Sequence, residues 1–227
     1  NAAKCWGSNM AGQVGNGSVS NKVTTPVEVM NAHSGVQAIS SGGTFTCMIQ
    51  NGAVKCWGAT PAHYDVRQNG SYIYTTIPVT VPLSFDAKAI ATGAYHACAL
   101  LKNNEVWCWG DNYFGQLGNG TKSHSFVPVK AVGLSGVEIK TIVAAHDQSC
   151  ALLQNGHVKC WGSVQSVATT TPTEIAGISS AVDLSLGQLH SCAIFNSGQK
   201  QCWDIGGNAA SVTSSLYEIV SGGNLSC

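Results

Sequence analysis

Charge is scarce in this sequence. Only 10 % of its 227 residues are charged, and Lys plus Arg equal Asp plus Glu at 11 each, so the net charge is zero. A nucleic-acid binder carries a basic excess to neutralise phosphates, and none exists here. No apolar run approaches the roughly 20 residues that span a bilayer, so membrane insertion is not expected. Close Cys-x-x-Cys pairs are missing, which removes the usual zinc spacing; neither a metal nor a cofactor is implied. Helical periodicity is missing as well. There is no initiating Met and no signal-peptide pattern. The chain therefore reads as a mature product or as a piece excised from something longer.

What remains is rich in glycine and cysteine, at 26 and 10 residues. An even, evenly spaced cysteine set points to disulfides and to an oxidising, extracellular compartment. The spacing follows an internal repeat. Cys-Trp occurs at Cys5-Trp6, Cys56-Trp57, Cys108-Trp109, Cys160-Trp161 and Cys202-Trp203. A leading cysteine precedes four of these, at Cys47, Cys98, Cys150 and Cys192, and Cys227 is a fifth. Eight positions before each leading cysteine stands Ile39, Ile90, Ile142, Leu184 or Ile219. Short strand signals separated by Gly and Pro, repeated at this length, suggest propeller blades.

Between paired cysteines lies a hairpin. Asn51-Gly52 suits a two-residue type I′ turn, which sets Cys47 opposite Cys56. The other hairpins are one residue longer and need a left-handed residue at Asn104, Gly156 and Gly198. Directly opposed strand residues lie within disulfide reach. The expected bridges are Cys47–Cys56, Cys98–Cys108, Cys150–Cys160 and Cys192–Cys202.

The segments from Trp6 to Gly17 and from Trp109 to Gly120 share the pattern Trp-Gly-x-Asn-x-x-Gly-Gln-x-Gly-Asn-Gly. Together with Gly93-Ala94-Tyr95-His96-Ala97-Cys98-Ala99-Leu100, they resemble the regulator-of-chromosome-condensation repeat family. The resemblance implies a β-propeller. It says little about activity, because such propellers serve as exchange factors, photoreceptors, enzyme inhibitors and adhesion modules. The family usually has seven blades, and this chain has material for about five. Its nuclear exchange factors are not disulfide-rich, so the cysteine pattern looks more like secreted bacterial members.

The fold class expected is all-β: one propeller domain over 1–227, complete or cut from a longer protein. Cys5 is a trailing cysteine and Cys227 a leading one, so their pairing would let the N-terminal strand complete the C-terminal blade. A cut through a longer array would give the same appearance. The spacing from trailing to next leading cysteine is 42 three times, then 32, then 25. The last two repeats have therefore lost most of the Gly-Gln arm.

One arm, Ala59 to Ile77, keeps its length but changes its content. It carries His63, Tyr64, Arg67, Tyr72 and Tyr74. Tyrosine and arginine are favoured at binding hot spots, which makes these five the candidate binding residues. The other reading is that the aromatics pack on the neighbouring blade. The Trp residues after Cys are expected to pack inside blades. His96 and His190, each two positions before a leading cysteine, are expected to make structural hydrogen bonds. If all ten cysteines are bridged, none is left as a nucleophile. No Ser-His-Asp set can be read, and the arms lack the Lys-Ser/Thr ending of a phosphate loop. Asn16, Asn69, Asn119 and Asn224 begin Asn-x-Ser/Thr triplets. The expected function is a non-catalytic extracellular or cell-surface recognition or adhesion module, with a protein or glycan partner. The alternative is a secreted inhibitor of an extracellular enzyme, similar to the β-lactamase inhibitor of this fold.

Overall fold

The computed structural model describes residues 1–60, 74–164, 167–187, 190–204, 209–212, 221–222 and 225–226, with side chains up to residue 203. Among them there is only β-structure, and no helix that could cross a membrane. Four complete four-stranded antiparallel sheets form the blades. The first contains β3 (Val36–Ser41), β4 (Phe45–Gln50), β5 (Ala53–Gly58) and β6 (Thr75–Thr80). The second contains β7 (Ala87–Thr92), β8 (His96–Leu101), β9 (Val106–Gly110) and β10 (Ser125–Lys130). The third contains β11 (Ile139–Ala145), β12 (Gln148–Leu153), β13 (Val158–Val164) and β14 (Val167–Glu174). The fourth contains β15 (Ala181–Leu186), β16 (His190–Phe195), β17 (Lys200–Asp204) and β18 (Ala209–Val212). Two half-sheets complete the set: β1 (Lys4–Asn9) with β2 (Ser20–Glu28), and β19 (Ser221–Gly222) with β20 (Leu225–Ser226).

The hairpins take the geometry their sequences demand. Asn51 and Gly52 both have positive φ, 52° and 83°, as a type I′ turn requires. Asn104, Gly156 and Gly198 occupy the left-handed region at 67°, 81° and 78°. Registers then place Cys47 opposite Cys56, Cys98 opposite Cys108, Cys150 opposite Cys160 and Cys192 opposite Cys202. All four expected disulfides form, each across 9 or 10 positions of sequence. Closing a loop this short stabilises the fold by about 2–3 kcal/mol through the unfolded chain. Replacing Cys98 and Cys108 together by serine should therefore lower unfolding free energy by about 2–3 kcal/mol. Cys5→Ser should leave it unchanged. Denaturant titration of both variants checks the contrast.

Blades adhere through their tryptophans. Trp109 packs with Phe45, Ile49 and Val54 of the first blade. Trp161 packs with Leu100 and Val106 of the second, and Trp203 with Leu152 and Val158 of the third. Trp57, Trp109, Trp161 and Trp203 are all 4 % exposed or less, whereas Trp6 is 62 % exposed. The expectation of a buried tryptophan thus fails at Trp6. Each buried one rests on the blade before it, and no described blade precedes β1. Ile39 is also exposed, while Ile90, Ile142 and Leu184 are buried.

The expected ring-closing pair is not among the described pairings. Among the described residues, β1 bonds to β2 alone and β20 to β19 alone. Cys5 carries a free thiol, which burial shifts upward in pKa, and Cys227 lies outside the described residues. The Cys5–Cys227 bridge stays an expectation. The half-sheets nonetheless keep the blade register. Cys5 opposes Val27 as Cys56 opposes Val79, and Ser221 opposes Ser226 as Ser41 opposes Thr46.

Candidate binding face

The arms that follow β1 and β9 are built by one set of contacts. Asn9 Oδ1 accepts from Val14 N at 3.1 Å, and Asn112 Oδ1 from Leu117 N at 2.9 Å. Gln13 Oε1 accepts from Ala11 N, and Gln116 Oε1 from Phe114 N, both at 2.9 Å. The backbone carbonyls of Gln13 and Gln116 reach across to the next blade. Each accepts an indole N–H at 2.8 Å, from Trp57 and Trp161 respectively. Each also accepts a hydroxyl, from Thr46 at 2.9 Å and from Ser149 at 3.1 Å. The arm is thus a strap, and Gly15 is what lets it lie flat. At φ +77°, a Cβ there would stand 2.5 Å from Trp57 Nε1. Among the described residues, the buried indole N–H groups of Trp109 and Trp203 have no hydrogen-bond partner. The arms before those two blades lack the Gly-Gln segment.

A second connection lies beneath the straps. His96 is fully buried, and its Nε2 meets Ser149 Oγ of the next blade at 2.7 Å. Since Ser149 donates its proton to Gln116 O, Nε2–H is the donor. One blade on, Gln148 holds the same position, and its Oε1 accepts from Ser191 at 2.9 Å. The structural role expected of His96 is observed. Burial pushes its pKa down to about 3, against a smaller opposing effect of the His146 backbone.

The straps share one face with the turns between each blade's first two strands. Asp111 N donates to Tyr95 O, and Ser163 N to Asp147 O, both at 2.9 Å. Ala94 N donates to His146 O at 2.8 Å, which joins neighbouring turns. On this face the two straps differ. Exposed Met10 of the first corresponds to Tyr113 of the second, which is 68 % exposed. Ser8 corresponds to Asp111, Ala11 to Phe114, and Thr44 beside the first strap to Asp147 beside the second. Tyr113 meets Phe114 edge-on at 5.0 Å, and Tyr95 is 53 % exposed.

Carboxylates converge on the second strap. Gln116 Nε2 donates to Asp111 Oδ2 at 3.2 Å and to Asp147 Oδ1 at 3.4 Å. His124 Nδ1 lies 2.5 Å from Asp111, and His146 Nδ1 lies 2.7 Å from Asp147. Burial raises the Asp147 pKa; His146 opposes that, and the nearby Asp111 charge adds to it. Among the described residues, no group of three or more His, Cys, Asp or Glu is placed to hold a metal.

Of the residues expected to bind, Tyr74 is partly exposed, at 38 %, just before β6. His63, Tyr64, Arg67 and Tyr72 lie outside the described residues. The patch around Tyr95, Asp111, Tyr113 and Asp147 was not expected from the sequence. Its signal was available: two straps with one internal framework and different exposed residues.

Comparisons with known proteins agree with this geometry. A family model described as the regulator of chromosome condensation repeat matches residues 5–49 and 103–152, and a second of the same description matches 87–116. The ultraviolet-B receptor UVR8 of Arabidopsis thaliana is 29 % identical over 159 residues, covering 69 % of this chain and 36 % of the receptor. The human E3 ubiquitin-protein ligase HERC2 is 29 % identical over 171 residues, covering 69 % of this chain and 3 % of that protein. The match therefore spans just over a third of the receptor and a small fraction of the ligase. Among solved structures, human WBSCR16 superposes with a TM-score of 0.78 at 19 % identity, covering 94 % of this chain and 63 % of that one. The ectodomain of the Arabidopsis thaliana receptor kinase ACR4 gives 0.52 at 20 % identity, covering 84 % and 56 %. Repeat matches, disulfide-pinned blades and shared fold lead to one statement: this chain is a β-propeller, parts of which are similar to the regulator of chromosome condensation repeat.

Proposed function

We propose that the chain is a non-catalytic recognition module that acts outside the cell or on its surface, and that it binds through the strap face. The observation that carries this reading is the contrast between the two straps. The contacts made by the backbone carbonyl and side-chain oxygen of Gln13 are duplicated at Gln116, while the outward residues diverge toward aromatic and charged types. Folding requires the first set and not the second, and exposed aromatics on a rigid scaffold are the usual material of a binding surface. Four disulfides suit an oxidising compartment. A likeness of fold to a receptor ectodomain is in keeping with that location. The yeast protein Prp20, which shares the fold, is seen bound to Kap60, another protein.

Arrays of glycans and of surface proteins test the reading. Saturable binding is expected that weakens at least tenfold when Met10, Tyr95 and Tyr113 are replaced by serine, with the melting temperature unchanged. Binding that ignores the three substitutions, or none on either array, would refute it. Tight inhibition of a secreted hydrolase would replace adhesion by inhibition as the role of the same face.

A further inference from the structure

The second strap carries a patch whose chemistry defines its partner. Tyr95 and Tyr113 are exposed; Tyr95 is joined to Asp111 by the Asp111 N to Tyr95 O bond, and Tyr113 follows Asp111 by two steps of chain. Asp111 and Asp147 come from different blades and are drawn to one amide nitrogen, that of Gln116. Two carboxylates this close repel each other, and the Asp111 charge is among the causes that raise the Asp147 pKa. The framework does not need them. At the first strap the same Gln amide is served by Ser8 Oγ at 3.4 Å, with Thr44 in the place of Asp147. Among the described residues the two carboxylates pair only with histidines, His124 and His146, and no lysine reaches either one; Lys122 on the same strap pairs with neither.

We propose that this patch seats the guanidinium of an arginine on a protein partner, with Asp111 and Asp147 as acceptors and Tyr95 and Tyr113 as stacking surfaces. A guanidinium satisfies both halves of the patch. It donates in a planar fork to carboxylates, and it stacks on aromatic faces with little loss of hydration. Phosphate, nucleic acid and acidic glycans are repelled by the same pair. The proposal rests on the strap face being the binding face, and it names the chemistry of one part of that face.

The test uses the full chain and acetyl-Gly-Arg-Gly-amide as probe, with the citrulline peptide as its uncharged isostere. Carboxylate and tyrosine-ring NMR signals are followed during titration. Saturable shifts at Asp111, Asp147, Tyr95 and Tyr113 are expected with the arginine peptide, and at least tenfold weaker ones with citrulline. Asp111→Ser with Asp147→Thr installs the residues of the first strap, so folding is preserved, as a matching melting curve would verify. This variant should lose arginine binding tenfold or more. Equal response to citrulline, shifts confined to other residues, or full binding by the variant would overturn the seat. If that variant still recognised the targets found on the arrays, the seat would fall while the recognition reading survived.

Discussion

Lowering the pH from 7 to 4 should cost the folded protein about 3 kcal/mol through His96 alone. The sign follows from the two states. In the unfolded chain this imidazole has a pKa near 6.5, and in the fold burial holds it at about 3. Between those values the unfolded state binds a proton that the native state does not, so acid favours unfolding. Stability from this group is intact above pH 6.5 and declines as pH falls toward 3. The variant His96→Gln isolates the effect. Glutamine already stands in the corresponding place at Gln148, where it bonds to Ser191. The substitution should cost about 1–2 kcal/mol at pH 7, the price of one imperfect buried hydrogen bond, and should flatten the acid slope. Denaturant titrations of both proteins at pH 7, 5.5 and 4 measure the difference. Equal losses in the two would show that carboxylates, not His96, govern acid sensitivity.

Gly15→Ala should be the most damaging small substitution in the straps, at about 3 kcal/mol. The left-handed backbone alone disfavours alanine by about 1 kcal/mol. The added Cβ would also stand 2.5 Å from Trp57 Nε1 and 2.9 Å from Trp57 Cε2, against an indole with no exposed surface. Relief requires lifting the strap, which breaks the Trp57 to Gln13 bond and leaves a buried N–H unpaired. Gly120→Ala is the control. Its φ is +84°, yet a Cβ there meets nothing within 4 Å. It should therefore cost only the backbone portion, about 1 kcal/mol. Thermal melts of both variants give the contrast. Similar losses would mean that the steric contact at Gly15 is relieved without disturbing Trp57.

The blades were legible because their determinants are local. Asn51-Gly52 fixes a turn, the turn fixes the register, and the register brings Cys47 to Cys56 within one hairpin. The same reasoning placed Asn104, Gly156 and Gly198 in the left-handed region. What depends on the next blade was not legible. Trp6 has the same sequence setting as Trp57, and only the blade behind it decides burial. The pairing of Asp111 with Asp147 spans two blades and is mediated by Gln116, so no spacing rule discloses it. The arm from Ala59 to Ile77 diverges openly in the sequence. The subtler change lay inside a preserved motif, where Met10 gives way to Tyr113.

Every observed bridge ties two adjacent strands of a single sheet, and among the described residues none ties one sheet to another. Oxidation is therefore a private matter for each unit, completed as soon as its own hairpin forms during synthesis. An unequal crossover that duplicated or deleted a unit would add or remove a thiol pair and strand no odd sulfur. Arrays of different length are open to such a gene without any redesign of its redox chemistry.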